Sequence, residues 1–319
     1  MPKSVRILAP SRIHFGLLSI EKSQSPYFGG VGAMLDQPRL DVEVSHAESS
    51  ASSFSGPFKD RVQEFVSLWQ AATNVTEPVC CEVLHAPPQH VGLGLGTQLG
   101  LSIAAALNSL FERDIRIEEL ARSVGRGRRS AVGAWGFERG GLVVDGGKSN
   151  DEELGHLRHH IELPAEWCVV LLRPDHPHGL AGNAEVQAFG QLPPAPDELK
   201  RRIRCELFDR MVPAATQGDF PSFAESVYEY GYAAGEMFAS EQGGPFRSAL
   251  VAEMVTYVRA LGVPGVGQSS WGPTLFCWFP NRDSAESFAA EAQQDPNLPS
   301  EVIVSSVARQ GAQTFVTHE

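Results

Sequence analysis

Three stretches of the chain carry chemically capable side chains on glycine-rich backbone. The first, His90–Gly96 followed by Thr97 and Gln98, reads HVGLGLGTQ, with Gly92, Gly94 and Gly96 at alternate positions running straight into an apolar helix. Glycine lets a backbone approach a ligand closely and turn successive N–H groups towards it, and a helix start adds partial positive charge. That arrangement suits phosphate or pyrophosphate, with Thr97 adding a hydroxyl and Gln98 a side-chain amide. It is neither a Walker loop, which needs a lysine after the last glycine, nor a good dinucleotide fingerprint. A tight turn ahead of a core helix would read the same way. The second stretch, Gly125–Ser130, reads GRGRRS, so Arg126, Arg128 and Arg129 concentrate positive charge beside Ser130. Guanidinium groups bind phosphate with paired donors, although a solvated turn would also carry them. The third, Gly262–Pro273, reads GVPGVGQSSWGP and offers Gln268, Ser269, Ser270 and the Trp271 indole to a ligand's hydroxyls or ring, or forms a plain turn. Arg12 and His14 alternate with Ile13 and Phe15 in Pro10–Leu17, so on a strand they share one side, lining a pocket or facing solvent.

Other histidines read less sharply. His156, His159 and His160 (HLRHH) have helical spacing without a metalloprotease context and are expected on a surface helix. His176 and His178 flank Pro177 in a loop that could face a ligand. Nothing resembles a nucleophile elbow, so no Ser-His-Asp order can be argued.

These residues need elements to hold them. Val5–Ala9, Leu40–Ser45 and Val79–Leu84 show strand patterns, and Arg61–Ala71 has Val62, Phe65, Val66 and Trp69 at helical spacing. Ile117, Leu120, Ala121 and Val124 repeat that spacing, with Gly125 placed to end the helix. Leu99–Phe111 is apolar on nearly every side, the pattern of a helix buried at the centre of a domain. Polar Ser45–Pro57 and proline-rich Gln191–Asp197 read as breaks. The second half runs strand (Trp167–Leu172), helices (about 197–211, 219–239 and 246–261), glycine-rich turn, strand (Thr274–Phe279), helix (about 283–294) and strand (Glu301–Val307). That order resembles a split βαβ, ferredoxin-like unit. We place a boundary near residue 160, giving domains 1–160 and 161–319.

Composition bounds the partners. The chain has 319 residues, is 42% hydrophobic and carries a net charge of 26 − 38 = −12, so it can build a core and is a poor nucleic-acid binder. No run of 18 apolar residues suggests a membrane span, and Met1–Leu18, interrupted by Arg12 and His14, does not read as a signal peptide. The five cysteines (80, 81, 168, 205 and 277) form no C-x-x-C pair, and a reduced, cytoplasmic protein is the simplest expectation.

Taken together, the motifs resemble a known family. PSRIHFGLL, GLGLGTQLGLSIAAAL and GVGQSSWGPT look like the three motifs of the GHMP kinase superfamily. More closely, Gly92–Leu99, Gly125–Gly133 with Phe137–Gly147, and Gly265–Pro273 resemble the β-ribofuranosylaminobenzene 5′-phosphate synthase family. The resemblance implies an α+β fold with an N-terminal GHMP domain, a C-terminal ferredoxin-like domain and the site between them. It implies a transferase of methanopterin biosynthesis that joins phosphoribosyl pyrophosphate to 4-aminobenzoate or 4-hydroxybenzoate, releasing pyrophosphate and carbon dioxide. Mg²⁺ and a homodimer are implied too. On this reading the loop N–H groups of residues 92–98 stabilise the departing pyrophosphate, and Arg126, Arg128 or Arg129 binds the ribose 5-phosphate. Gln268, Ser269 and Ser270 hold the carboxylate, with Arg12 and His14 at the aryl or phosphate end. Asp145 and Glu185 are the candidate metal ligands.

Two departures matter. GHMP kinases carry S-G-x-D, whose acid acts on the substrate hydroxyl; the matching Ser130-Ala131-Val132-Gly133 has none, and Glu138 is the nearest carboxylate. Leu95 stands where the synthase family's loop serine is expected, leaving Thr97 as the nearest hydroxyl. An ATP-dependent small-molecule kinase and a non-catalytic ligand-binding protein are the competing readings.

Overall fold

The computed structural model describes residues 2–21, 25–151, 153–174, 192–299 and 301–318. Two long strands, β1 (Ser4–Leu17) and β2 (Gly30–His46), pair antiparallel and form the spine of a seven-stranded sheet. β3 (Ser53–Ser55) and β4 (Val79–His85) extend it on one side, and β5 (Leu142–Asp145) with β6 (Leu157–Ile161) pair along the start of β2. The alternation read in Val5–Ala9 is structural: Val5, Ile7 and Ala9 are buried in the first core. The pairing with β2 is irregular after Ala9 and again after His14. The far half of β1 thereby contributes Ile13, Phe15 and Leu17 to a second core.

Helix α1 (Lys59–Thr73) buries Val62, Phe65, Val66 and Trp69, the spacing read from sequence. α2 (Leu95–Leu110) is buried on most sides, as its composition requires, against β1, β2, α1, α3 (Ile117–Ser123) and α4 (Val132–Arg139).

The second sheet is antiparallel, in the order β10 (Glu301–Ser306), β7 (Cys168–Arg173), β9 (Leu275–Phe279), β8 (Val266–Gln268). This is the ferredoxin-like order expected from the element rhythm. α5 (Asp197–Cys205) continues through a π-helical stretch to Met211 and then α6 (Val212–Gln217). α7 (Phe220–Glu236), α8 (Ala249–Ala260) and α9 (Arg282–Ala292) complete this half. The expected boundary near residue 160 falls within β6 of the first sheet, which precedes β7 of the second. The last strand, β11 (Gln313–Thr317), returns to pair with β1, so the first sheet draws on both halves of the chain.

One core joins the sheets. Phe15 lies 5.2 Å from Phe276, and Phe223 meets Trp278 edge-on at 5.0 Å. Such ring pairs add about 0.5–1.5 kcal/mol each beyond area burial. Tyr230 of α7 donates its hydroxyl to the Gly16 carbonyl of β1 at 3.0 Å, fixing α7 over the end of that strand.

His156–His160 is not a surface helix. It leads into and forms β6, paired with β5, and His156 Nδ1 donates to the Gly147 carbonyl at 2.8 Å. The period-two spacing of Leu157, His159 and Ile161 was masked by the i, i+4 spacing of its histidines. Cys81, Cys168 and Cys277 are buried and all five cysteines are free thiols. Among the described residues no helix is long and apolar enough to cross a membrane.

Candidate active site

The three glycine-rich stretches meet. β1 sits between them and brings Arg12 and His14 to a shared cavity of about 250 Å³ whose wall also includes Thr97, Arg126, Arg128, Arg129, Ser130, Gln268 and Ser270. The lining also includes apolar Phe15, Leu17, Ala234, Phe238, Phe246 and Trp271. Phe238 and Trp271 pack edge-on with ring centroids 5.2 Å apart. The cavity is therefore lined by both cationic and aromatic side chains.

The loop glycines have separate partners. A side chain at Gly92 would begin 2.5 Å from the Ser269 carbonyl; at Gly94 it would meet Arg12 Cβ at 3.1 Å; at Gly96 it would meet Arg61 Nη2 at 2.8 Å. The loop thus admits the C-terminal turn, β1 and α1 at successive glycines. Gly94 caps α2 in the left-handed conformation (φ 73°) that glycine adopts without strain. Thr97 and Gln98 donate to its carbonyl, so the Leu95 and Gly96 N–H groups precede the first intrahelical bonds. Leu95 points into the first core and Thr97 lines the cavity, so the loop's hydroxyl comes from Thr97. Gln98 does not reach the cavity: it is buried, and its Nε2 donates to the Gly133 carbonyl at 3.0 Å, tying α2 to α4.

His14 is held from several sides. Its N–H donates to Ser269 Oγ at 3.1 Å and its carbonyl accepts from the Ser270 N–H at 3.0 Å. Nε2 lies 3.0 Å from Ser130 Oγ, which accepts from the Val132 N–H and so has its own proton free for the ring. Burial, and then the charge of Arg12, pull the imidazole well below its ordinary pKa, so it is neutral at physiological pH. In the unfolded chain the ring takes up a proton near pH 6.5. The stability from burying it neutral is intact above that pH and is lost as pH falls below it, because the unfolded state then binds more protons. His14→Gln should therefore give a shallower fall of Tm below about pH 6.5 than the parent. Parallel profiles would contradict the assignment.

The C-terminal turn contributes unevenly. Ser269 is fully buried; its Oγ donates to the Gly92 carbonyl at 2.7 Å while accepting from His14. It fastens the glycine loop to β1 and does not line the cavity. Ser269→Ala would leave the buried His14 N–H and the part-buried Gly92 carbonyl without this partner, and should destabilise the protein by about 1–3 kcal/mol in chemical denaturation. A loss under about 0.5 kcal/mol would show that the bridge is dispensable. Gln268 lines the cavity, but its Oε1 accepts from the Arg247 N–H at 2.9 Å and its Nε2 donates to the Ser270 carbonyl at 2.7 Å. It shapes the turn. Ser270, at φ 55°, is the residue of this turn whose hydroxyl makes no hydrogen bond among the described residues. Backbone held in that region by a non-glycine residue is often functional.

Asp145 stands apart from the cavity wall. Its carboxylate is 1% exposed and accepts from the Ala131 N–H at 2.6 Å and the Gly147 N–H at 2.9 Å. It closes the arginine segment at its base, and both oxygens are occupied. Glu185, like His176 and His178, lies outside the described residues. Among the described residues no group of three histidine, cysteine or carboxylate side chains could hold a metal, and no described wall residue is a carboxylate. Protein-bound Mg²⁺ is usually held by one or two carboxylates together with substrate phosphates, so the described wall residues alone do not fit a protein-held Mg²⁺ site.

One cation was missed in the sequence. Arg61 on α1 reads as the start of an amphipathic helix, yet it reaches the first turn of α2 beside Arg126. Its position four residues before the buried Phe65 was the available signal. Burial, then Arg61, bring Arg126 down to about 10, still charged at neutral pH.

Comparison with known proteins gives the class first. The homoserine kinase from Cytophaga hutchinsonii superposes with a TM-score of 0.70 at 16% identity, covering 99% of this chain and 98% of that one. The mevalonate diphosphate decarboxylase from Staphylococcus aureus gives 0.71 at 14% identity, covering 99% and 98%. The fold is the α+β GHMP-kinase-like fold. No protein-family model matches the chain. Among curated proteins, the β-ribofuranosylphenol 5′-phosphate synthase of Methanothermobacter thermautotrophicus is 27% identical over 326 residues, covering 96% of this chain and 97% of the relative. That of Archaeoglobus fulgidus is 29% identical over 287 residues, covering 85% and 87%. The resemblance read from the motifs thus extends over nearly the whole chain, and this is an enzyme related to those synthases.

Proposed function

We propose that the enzyme condenses phosphoribosyl pyrophosphate with a para-substituted benzoate, releasing pyrophosphate and carbon dioxide. The observation that carries this reading is the mixed lining of the cavity. Arg12, Arg126, Arg128 and Arg129 share it with Phe238, Phe246 and Trp271. A phosphorylated sugar and an aromatic acid match those two kinds of side chain. The names of the curated relatives favour 4-hydroxybenzoate over 4-aminobenzoate as acceptor, because a phenol is the decarboxylated product of the former.

In this reaction the bond from the anomeric carbon to the pyrophosphate oxygen breaks as an oxocarbenium-like centre develops. The arginines and the first turn of α2 compensate the departing charge. The ring carbon bearing the carboxylate attacks, a C–C bond forms, and loss of carbon dioxide returns its electron pair to the ring. The aromatic side chains hold the ring against the sugar, and such positioning contributes several kcal/mol to a two-substrate step. Ser270 Oγ is the group offered to the carboxylate. No strong base is needed, in keeping with a neutral, hydrogen-bonded His14.

The same reading includes Mg²⁺ carried with the diphosphate, a homodimer, a cytoplasmic location and a place in methanopterin biosynthesis. The kinase reading requires a carboxylate at the acceptor hydroxyl. Glu138, the nearest in sequence, is exposed and pairs with Arg139. The test is product analysis. Phosphoribosyl pyrophosphate and 4-hydroxybenzoate should give pyrophosphate and a ribosylphenol phosphate in equal amounts. ADP formed from ATP and an alcohol acceptor, with no ribosyl product, would overturn the proposal.

A further inference from the structure

Arg61 lies outside every glycine-rich motif and does not line the cavity, yet it reaches the first turn of α2 beside Arg126, which does. Its Nη2 sits 2.8 Å, and Arg126 Nη1 3.7 Å, from the point where a Gly96 side chain would begin. Both guanidinium groups lie over the Phe65 ring, at 5.8 Å and 4.8 Å from its centroid. Neither has a hydrogen bond or ion pair to a carboxylate among the described residues, and the Arg126 Nε–H, itself buried, meets no acceptor there. Glu64 is close enough to act on Arg61 and Arg126 through space, but it is exposed and bonds neither. Two like charges are thus held together in a half-buried place, compensated by one neutral ring and by the unbonded Glu64 carboxylate through space. The N–H groups of Leu95 and Gly96 open the same helix turn. Repulsion of this kind is sustained where a ligand of opposite charge completes the arrangement.

We infer that Arg61 is a further substrate-binding residue and that, with Arg126 and the first turn of α2, it forms the subsite for the diphosphate of phosphoribosyl pyrophosphate. Two forked cations and adjacent backbone donors match a ligand with two phosphoryl groups better than a monophosphate. The inference rests on the transferase reading and deepens it: Arg126 belongs to the leaving-group end, leaving Arg128 and Arg129 to the ribose 5-phosphate. Arg61 touches the leaving group and moves no proton.

The test is calorimetric titration of the full-length protein with inorganic pyrophosphate and, separately, ribose 5-phosphate, at fixed Mg²⁺ and ionic strength. Arg61→Met should weaken pyrophosphate at least about tenfold and leave ribose 5-phosphate within about twofold. Arg126→Met should do the same, and Arg61→Lys should fall between, because it keeps the charge without the fork. Without ligand, Arg61→Met should melt at or above the parent's temperature, since a repulsion has been removed. Unchanged pyrophosphate affinity, equal losses for both ligands, or a lowered melting temperature with both ligands weakened would each overturn the inference. Because the readout is binding, selective loss in a protein that makes no ribosyl product would uphold the subsite and discard the reaction.

Discussion

Gly272→Ala is expected to remove nearly all activity and to lower stability, although the residue bears no side chain and does not line the cavity. A methyl group there would begin 2.4 Å from both the nitrogen and Cα of Gly92 and 2.5 Å from the Val91 carbonyl carbon. All three are backbone atoms, so no rotamer change relieves the overlap. The two loops must separate, and overpacking of this kind costs about 1–3 kcal/mol. The separation also parts Ser269 Oγ from the Gly92 carbonyl and shifts Ser270 relative to the arginine wall. A displacement of about 1 Å at reacting groups lowers rates about 10²-fold. The prediction is a fall in kcat/KM of about 10²-fold or more with a Tm several degrees lower. Gly244, which has no atom within 4 Å of the same point, is the control. Gly244→Ala should change neither quantity appreciably. Equal, small effects at both glycines would show that the contact between the loops is unimportant.

The second large effect is expected at Arg12. Its stem packs on Gly94, the cap of α2, and its guanidinium lines the cavity beside the arginine segment. Hydrogen bonds to charged groups contribute about 1.5–3 kcal/mol each. Arg12→Met keeps most of the stem and removes the charge, so kcat/KM for phosphoribosyl pyrophosphate should fall about 10–10²-fold. A second signature follows from His14, whose pKa is lowered by burial and then by Arg12. In Arg12→Met the imidazole should titrate at a higher pH than in the parent, which an NMR titration of the ring reads directly. A large rate loss with no shift at His14 would mean that Arg12 does not sit beside the ring in solution.

Much of this arrangement was legible in the sequence, for reasons that differ by residue. The period-two alternation of β1 put Arg12 and His14 on one side, and the all-round apolar α2 announced its own burial. The arginine segment, with its charges flanked by glycine, lines the cavity with Arg126, Arg128 and Arg129. What failed to show was direction. Gln268 and Ser269 have the right chemistry for a carboxylate, but one is bonded to its own turn and the other is buried between loops. Asp145 looked like a metal ligand because it is a carboxylate among glycines, whereas its oxygens accept two backbone N–H groups. The glycines of residues 92–96 invite a ligand in sequence, yet each makes room for another part of the chain. Arg61 was hidden because the contact that brings it in spans α1 and α2, and no local pattern encodes it.

The central claim is that one cavity, lined by arginines and aromatic rings, holds both a phosphoribosyl donor and an aromatic acid. Carbon dioxide release from carboxyl-labelled 4-hydroxybenzoate, with 4-aminobenzoate in a parallel reaction, tests it most directly. With purified protein and Mg²⁺, labelled carbon dioxide should appear only when phosphoribosyl pyrophosphate is present, in equal amount to pyrophosphate, and faster from the hydroxy acid. No release from either acid, by a protein that binds phosphoribosyl pyrophosphate, would contradict it.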